Sequence, residues 1–204
     1  MKQLVKGSAP DFFTKFITHK QPKSWEDMGP IRQELREHIL TEQRDLCAYT
    51  EVYLSGGDSC HIDHYHTRNL FPEETFSYDN MLVSCNSEIF GAKYKDKQIK
   101  EKADYEDLIN PLEEDPADYL EFTFTGDVVA VDTSTKGEKT ISVFNLNEKS
   151  LVERRKIAAL NLASMMDSFT EEDMVGAIGE FETMIRQLYR EVKEESNSID
   201  GSPV

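Results

Sequence analysis

The chain lacks the features that mark secreted and membrane proteins. It has three cysteines, an odd number that argues against a disulfide framework and agrees with a reducing compartment. It contains no run of about 18 apolar residues and no basic segment leading into an apolar one, so neither a membrane span nor a secretory signal is expected. We therefore expect a cytoplasmic protein. Its 204 residues are enough for one domain with a substantial core.

Basic residues are also scarce. The 23 Lys and Arg are outnumbered by 39 Asp and Glu, which gives a formal net charge of −16. This excess opposes contact with a polyanion, because affinity for nucleic acid comes largely from Lys and Arg at phosphates. Residues 61–102 are nearly neutral, with six basic and seven acidic side chains. The acids elsewhere are either solvated faces that keep the protein soluble or a sign that a partner supplies the grip on nucleic acid.

Histidine is rare as well, yet three of the five histidines lie within six positions, in the run Cys60-His61-Ile62-Asp63-His64-Tyr65-His66. Hydrolysis of a phosphodiester requires a general base, a cation and groups that fix geometry. A histidine with an ordinary pKa near ~6.5 is mostly neutral at pH 7 and accepts a proton. Asp63 and the amide oxygen of Asn86 are hard ligands that suit Mg²⁺. The pattern favours metal-assisted hydrolysis of a phosphodiester.

Asp63 and His64 are adjacent, which constrains the strand that carries them. In a regular strand neighbouring side chains point to opposite faces, so both could face one phosphate only at a bulge or a strand end. Such an irregularity is therefore expected here. The alternative is a histidine that only packs in the core, and it would leave the adjacent acid and the downstream asparagines unexplained.

These residues resemble the ββα-metal core of HNH endonucleases. Asp63-His64, then Asn80 before the run Met81-Leu82-Val83, then Ser84-Cys85-Asn86 and Lys93 carry the likeness. The flanking chain resembles the HNH proteins of Septu-type and retron-associated anti-phage systems, in which the HNH subunit partners an ABC-type ATPase. The flanking matches are Arg32-x-x-Leu35, Gln43, Leu46-Cys47-Ala48-Tyr49, Ile109-Asn110-Pro111, Phe122-x-Phe124 with Gly126, Thr140-Ile141, Asn145-Leu146-Asn147, Leu151 and Arg154-Arg155. The likeness covers roughly residues 1–160.

The resemblance implies a role for each matching residue. His64 would be the general base that activates water, and Asn80 would hold the loop and orient His64. Asp63 would be a metal ligand and Asn86 the other residue on the metal side, with Mg²⁺ or Mn²⁺ as the metal. The implied partners are an ABC-type ATPase and a nucleic acid substrate, within an oligomeric complex and without a membrane.

Four side chains near this core are candidates for contacts with the substrate phosphate. They are His61, His66, Arg68 and Lys93. The two histidines have no secure counterpart in the family. Arg68 either clamps a phosphate as a bidentate donor or pairs with Glu73 or Glu74. Lys93 opens a lysine-rich stretch, residues 93–102, that either tracks a phosphate backbone or coats the surface.

The cysteine pairs that hold zinc in many HNH proteins are incomplete in this chain. Cys47 and Cys85 are each followed three residues later by a residue other than cysteine, Thr50 and Glu88. A structural zinc normally takes four nitrogen or sulfur ligands. Cys47 and Cys85 with Cys60 and a histidine could supply four, so a structural zinc and a packed brace without metal both stay open.

Two other functions fit the same residues. The ββα-metal fold grips phosphates, and nothing here reads base edges, so an RNase that cuts tRNA is an alternative to a DNase. The second alternative is a catalytically inactive HNH-like adaptor that regulates the ATPase, which the lost cysteines and the acidity favour. A decayed core would be expected to lose its base or metal ligand first, and both are present.

The predicted fold class is α+β, with a ββα-metal core flanked by an N-terminal helical segment, a β-hairpin and C-terminal helices. The predicted segments are a helical lead-in (1–46), the catalytic core (47–110), a hairpin extension (111–145), a helical region (146–195) and a disordered tail (196–204). Apolar residues at four-residue spacing predict a helix over residues 30–44. A single last helix is expected from Thr170 to about Glu195, with an apolar stripe that serves as core or as a docking face.

Overall fold

The computed structural model describes residues 1–200, with the side chains of residues 196–200 left aside, and it confirms an α+β protein. The helices of this part are α1 (Asp11–Lys20), α2 (Arg32–Glu42), α3 (Ala92–Gln98), α4 (Thr135–Phe144), α5 (Lys149–Met165), α6 (Glu171–Ile178) and α7 (Glu182–Asp200). The strands are β1 (Cys60–His64), β2 (Met81–Cys85), β3 (Leu120–Phe122) and β4 (Val128–Ala130). They form two separate antiparallel pairs, β1 with β2 and β3 with β4.

The β1–β2 pair followed by α3 is the unit that carries the predicted site. Its register pairs Cys60 with Cys85 at one end and His64 with Met81 at the other. Every residue of β2 is buried, as its apolar run requires. Gly91 then turns the chain into α3 with a φ of 75°, and a Cβ atom at this glycine would lie 3.3 Å from the Cys85 sulfur. Glycine therefore permits both the turn and the close packing of α3 on the hairpin.

Helix α2 lies against β2 and closes one side of the hairpin. Leu35 and Ile39 are buried, which confirms the predicted four-residue spacing, although the helix is shorter than the predicted 30–44. Gln43, just after α2, accepts a hydrogen bond from the backbone N–H of Val83 at 2.7 Å and donates to the Val83 carbonyl at 2.8 Å. The helix is thereby fixed to the middle of β2.

The chain beyond the hairpins differs from the prediction in two places. Residues 135–144 were assigned to the hairpin extension and form α4. The predicted last helix is two helices, because Gly179 and Phe181 adopt φ values of 72° and 55° that interrupt it. Helix α7 reaches Asp200, so the predicted disordered tail begins inside a helix, and its residues 201–204 lie outside the described residues.

Helix α7 packs against α5, α6 and β3. Ile185 and Leu188 of its apolar stripe, and Phe181 just before the helix, are at most 1% exposed. The interpretation of this stripe as core is therefore confirmed for these three positions. Among the described residues, no helix has the length and apolar character needed to cross a bilayer.

Candidate active site

A cavity of about 500 Å³ opens at the His64 end of the hairpin. Its walls come from β1, from the loop after β1 and from α3 and the residues just beyond it. The lining residues are His61, Ile62, Asp63, His64, Thr67, Arg68, Asn69, Leu70, Lys93, Asp96, Ile99 and Lys100. Asp63 and His64 thus share one cavity because β1 ends at His64, as the adjacency of the two residues predicted.

His64 is held as a neutral base. Its Nε2 lies 3.0 Å from the backbone carbonyl of Thr75. A carbonyl only accepts hydrogen bonds, so the ring proton lies on Nε2 and Nδ1 is the nitrogen that can accept a proton. The edge of the Trp25 ring packs against the imidazole, with 4.6 Å between ring centroids. Burial lowers the pKa of His64 to about 4, so the imidazole is neutral at physiological pH.

Asn80 holds the loop that follows β1. Its Oδ1 accepts from the backbone N–H of His66 at 2.8 Å, and its Nδ2 donates to the His66 carbonyl at 3.0 Å. The Asn80 backbone carbonyl also accepts from the N–H of Tyr65 at 3.0 Å. Asn80 does not line the cavity. Asn80 therefore fixes the chain beside His64 from outside the cavity.

Two carboxylates in the site share one buried ammonium group. Lys95, fully buried on α3, lies 3.1 Å from Asp63 Oδ2 and 3.2 Å from Asp96 Oδ1. Its Nζ also donates to the carbonyls of His64 and Tyr65, at 3.0 and 2.9 Å. Asp63 Oδ2 additionally accepts from the Tyr49 hydroxyl at 2.5 Å. Lys95 therefore links α3 to the end of β1.

The charges of this cluster are not balanced. Burial, together with repulsion from Asp63, raises the pKa of Asp96 above its ordinary value. Burial alone would lower the pKa of Lys95, yet the carboxylates of Asp63 and Asp96 raise it. Within this cluster, two carboxylates against one ammonium leave one negative charge. A further cation at the two carboxylates would balance it.

His61 adds an unsatisfied nitrogen to the same wall. It precedes Asp63 by two residues on β1, so the two side chains lie on one face of the strand, and both line the cavity. Its Nδ1 is buried and has no hydrogen-bond partner among the described residues. Burial also lowers the pKa of His61. A buried, unpaired nitrogen at the wall of a polar cavity is suited to bind a water molecule.

The structure does not bring Asn86 to the predicted metal side. Asn86 follows Cys85, which pairs with Cys60, whereas Asp63 and His64 lie at the opposite end of the hairpin. It is exposed, donates to the Asp58 carbonyl at 3.2 Å and does not line the cavity. The structure does not bring Asp63 and Asn86 together, because the antiparallel register separates the two residues. Asp96 of α3 lies next to Asp63 in its place.

The candidate phosphate contacts fall into two groups. His61, Arg68 and Lys93 line the cavity, whereas His66 does not. The Nδ1 of His66 lies 2.9 Å from Glu74, which places this ring outside the site. Glu73 pairs with Lys102 at 3.3 Å, so neither of the acids proposed as salt-bridge partners is bound to Arg68. Arg68 instead lies over the Trp25 ring, 5.6 Å from its centroid.

The cysteines meet at the other end of the hairpin. Cys47 Sγ accepts from the backbone N–H of Cys85 at 3.3 Å and lies 3.5 Å from the Ser84 hydroxyl. Among the described residues, no three Cys, His, Asp or Glu side chains converge to hold a metal. A structural zinc needs four such ligands, so the residues present do not fit it. Mg²⁺ requires fewer, because it usually keeps several waters and takes one or two carboxylates.

Sequence reasoning missed Tyr49, Lys95, Asp96 and Lys100 as parts of the site. The sequence places Tyr49 only in a flanking match, and the other three lie in the lysine-rich stretch 93–102, for which it predicts either a phosphate-backbone track or a surface coat. The available signal was Asp96, an acid beside Lys95 inside that lysine-rich stretch.

Comparison with known proteins gives one informative similarity. No family model matches the chain. Among curated proteins the chain is similar to the Septu protein PtuB of Bacillus mycoides (strain KBAB4), with 26% identity over 140 residues. The match covers 57% of this chain and 48% of that protein, so the chain spans about half the length of the curated relative it matches. The similarity confirms, at the level of a distant relationship, the resemblance to Septu-type proteins.

Proposed function

We propose that this protein is a metal-dependent HNH endonuclease that hydrolyses phosphodiester bonds of nucleic acid. The observation that carries the proposal is the state of His64. Its Nε2–H is bound to the Thr75 carbonyl and its pKa is lowered to about 4, which leaves Nδ1 as a neutral acceptor. The same cavity presents the Asp63 and Asp96 carboxylates and the cations Arg68, Lys93 and Lys100. This set combines a base, a cation-binding wall and groups for phosphate.

The chain's own residues account for the proton and the charge in this reaction. A water molecule attacks phosphorus while its proton passes to His64 Nδ1, and one ester P–O bond breaks. The departing oxygen takes a proton from solvent, and the imidazolium later returns its proton to solvent. Arg68, Lys93 and Lys100 neutralise charge that grows on the phosphate oxygens. Asn80 keeps the backbone beside His64 in place.

The residues fit a hard divalent cation, Mg²⁺ or Mn²⁺. Lys95 occupies Oδ2 of Asp63 and Oδ1 of Asp96, and each carboxylate has a second oxygen. These two oxygens, together with several water molecules, would hold the ion. When bound, the cation supplies neutralisation of the scissile phosphate.

We also propose that the nuclease works within an anti-phage defence complex that contains an ABC-type ATPase. The similarity to a Septu protein and the motif resemblance support this assignment. The net charge of −16 supports a partner that contributes to the grip on nucleic acid. DNA and RNA offer the same bond, so an RNase that cuts tRNA remains the alternative within this chemistry.

One observation favours a catalytically inactive adaptor as the second candidate. The Lys95 ammonium already contacts both carboxylates, which is the position that a catalytic cation needs. An ammonium group fixed there would take the place of the metal. An adaptor of this kind would bind the ATPase, would not bind Mn²⁺ and would not cut.

The test compares His64→Ala with His19→Ala in the partner-bound protein, with Mg²⁺ or Mn²⁺ and with both DNA and RNA. His19 is exposed at the end of α1 and serves as the matched control. Loss of a general base is expected to slow cleavage about a hundredfold to ten-thousandfold, while His19→Ala cuts like the wild type. Equal cleavage by the wild type and His64→Ala would remove His64 as the base. Absence of cleavage and of Mn²⁺ binding in the wild type would favour the adaptor.

A further inference from the structure

A second, smaller groove of about 280 Å³ adjoins the active-site cavity. It is lined by Trp25, Arg32, Arg36, His61, Ile62 and Arg68, and we refer to it as the arginine groove. Three of these residues, His61, Ile62 and Arg68, also line the cavity. The groove is therefore continuous with the active-site cavity. Its other wall is formed by Trp25 and by Arg32 and Arg36 of α2.

The charge of the arginine groove is the reverse of that of the whole chain. Three arginines line it and no carboxylate does, in a protein with a net charge of −16. Arg32 and Arg36 are one turn apart on α2, so both side chains point to one face of the helix. The Nε atoms of both are buried without a hydrogen-bond partner among the described residues.

Arg36 has no polar partner in the groove. Within residues 1–200 as the structure describes them, it forms no ion pair and no hydrogen bond, and its side chain is only partly exposed. Three guanidinium groups that line one groove with no carboxylate in its lining favour an anion there. The same protein pairs arginines with glutamates elsewhere, as in Arg186 with Glu172 at 2.6 Å.

Trp25 holds the other two arginines in place. Arg32 donates to the Trp25 carbonyl at 2.8 Å and lies over the indole, 5.4 Å from the ring centroid. Arg68 lies over the same ring at 5.6 Å, and the ring edge contacts His64. An arginine stacked in this way keeps its planar fork of donors in a fixed orientation, which suits bidentate binding of a phosphate.

We infer that the arginine groove binds the backbone phosphate next to the scissile one, with Arg36 as the main new contact and Arg68 between the two phosphates. This inference rests on the proposed nuclease function and specifies where its substrate lies. The groove would hold the phosphate and sugar backbone and would carry no base preference, because guanidinium groups at phosphates position a strand and do not specify sequence.

The test measures binding separately from cleavage. Labelled single strands of DNA and of RNA are titrated with the full chain in EDTA at a series of salt concentrations, comparing wild type, Arg36→Gln and Lys156→Gln. Lys156 is exposed on α5, away from the groove, and its replacement removes the same charge. We expect Arg36→Gln to weaken binding about tenfold and to reduce the slope of log affinity against log salt by about 0.7. Lys156→Gln should leave the slope unchanged.

Each result separates the groove from the nuclease. If Arg36→Gln shows the expected change of slope but the wild type does not cleave when Mg²⁺ is added, phosphate binding by the groove is supported and the nuclease function is refuted. Cleavage with an unchanged slope in Arg36→Gln would refute the groove alone. No binding of either strand by the wild type would also refute the groove. An unchanged slope in Arg36→Gln, combined with loss of its binding to the protein partner, would instead assign Arg36 to a protein interface and overturn the inference.

Discussion

The β1–β2 hairpin presents different chemistry at its two ends. At the His64 end, a buried ammonium group binds two carboxylates beside a neutral imidazole. At the Cys60 end, Cys47 and Cys85 meet through sulfur and hydroxyl contacts, and Asn86 points to solvent. Asp63 and His64 lie within 23 positions of Cys85 and Asn86 in the sequence, yet the antiparallel register places the two pairs at opposite ends. Proximity along the chain is therefore a poor guide to proximity across a hairpin.

Lys95→Met, at the His64 end of the hairpin, is expected to lower the unfolding free energy more than a change at the Cys60 end. The Lys95 replacement leaves Asp63 buried with its charge unpaired and removes the donor to the carbonyls of His64 and Tyr65. Breaking a buried ion pair from one side costs about 3–5 kcal/mol of unfolding free energy. The corresponding change at the other end, Cys85→Ala, should cost about 1 kcal/mol, comparable with one buried methylene group. Denaturant unfolding measures both.

Lys97→Met is the control for Lys95→Met because it lies on the same helix and pairs with Glu88 at the surface. An exposed ion pair contributes about 0–1 kcal/mol, so this variant should unfold almost like the wild type. A loss in Lys95→Met no greater than that in Lys97→Met would mean that the buried cluster does not fix α3 to β1.

Much of the fold could be predicted because local patterns determined it. The spacing of Leu35 and Ile39 gave α2, and the Thr170–Asp173 capping box gave the start of α6. Helix α4 was missed because Gly137 lies in its first turn, where the sequence pattern disfavours a helix. A Cβ there would lie 2.5 Å from the Tyr119 carbonyl, so a tertiary contact requires glycine. The pattern alone does not contain that contact.

The site was predictable only where its residues are neighbours in sequence. Asp63 and His64 were found because an acid beside a histidine is itself a signal. Lys95 and Asp96 were missed because they lie far from β1 in the sequence. The turn at Gly91 brings α3, which carries both residues, against β1. The resemblance to a family supplies motif order but not the register of this hairpin, which separates Asn86 from Asp63.

The His64 end of the hairpin should also make the unfolding free energy depend on pH. The folded protein lowers the pKa of His64 from 6.5 to about 4, so between these values the unfolded chain binds a proton that the folded chain does not. The contribution of this pKa shift to the unfolding free energy is complete above pH 6.5 and is lost as the pH falls toward 4. About 2 kcal/mol of unfolding free energy is lost by pH 5. Unfolding of wild type and His64→Gln at pH 7 and pH 5 measures it.

His64→Gln should show a smaller loss of unfolding free energy between pH 7 and pH 5 than the wild type, because the titrating group is gone. His19→Gln, changed at an exposed position of α1, should keep the wild-type dependence. Identical losses in the wild type and in His64→Gln would show that burial of this imidazole does not control stability in acid. His61, whose pKa burial also lowers, accounts for a residual slope.

The smallest expected effect decides which end of the hairpin holds the cation. Mg²⁺ or Mn²⁺ bound only by the folded state raises the unfolding free energy by about 1.4 kcal/mol at tenfold excess over the dissociation constant. If Asp63 and Asp96 hold the ion, Asp96→Asn should lose most of this gain, and Asn86→Ala, which alters one exposed contact to Asp58, should keep it. Thermal unfolding with and without the ion measures the gain. Loss of the gain in Asn86→Ala, with Asp96→Asn unaffected, would return the metal to the Cys60 end and contradict the site described for the cavity.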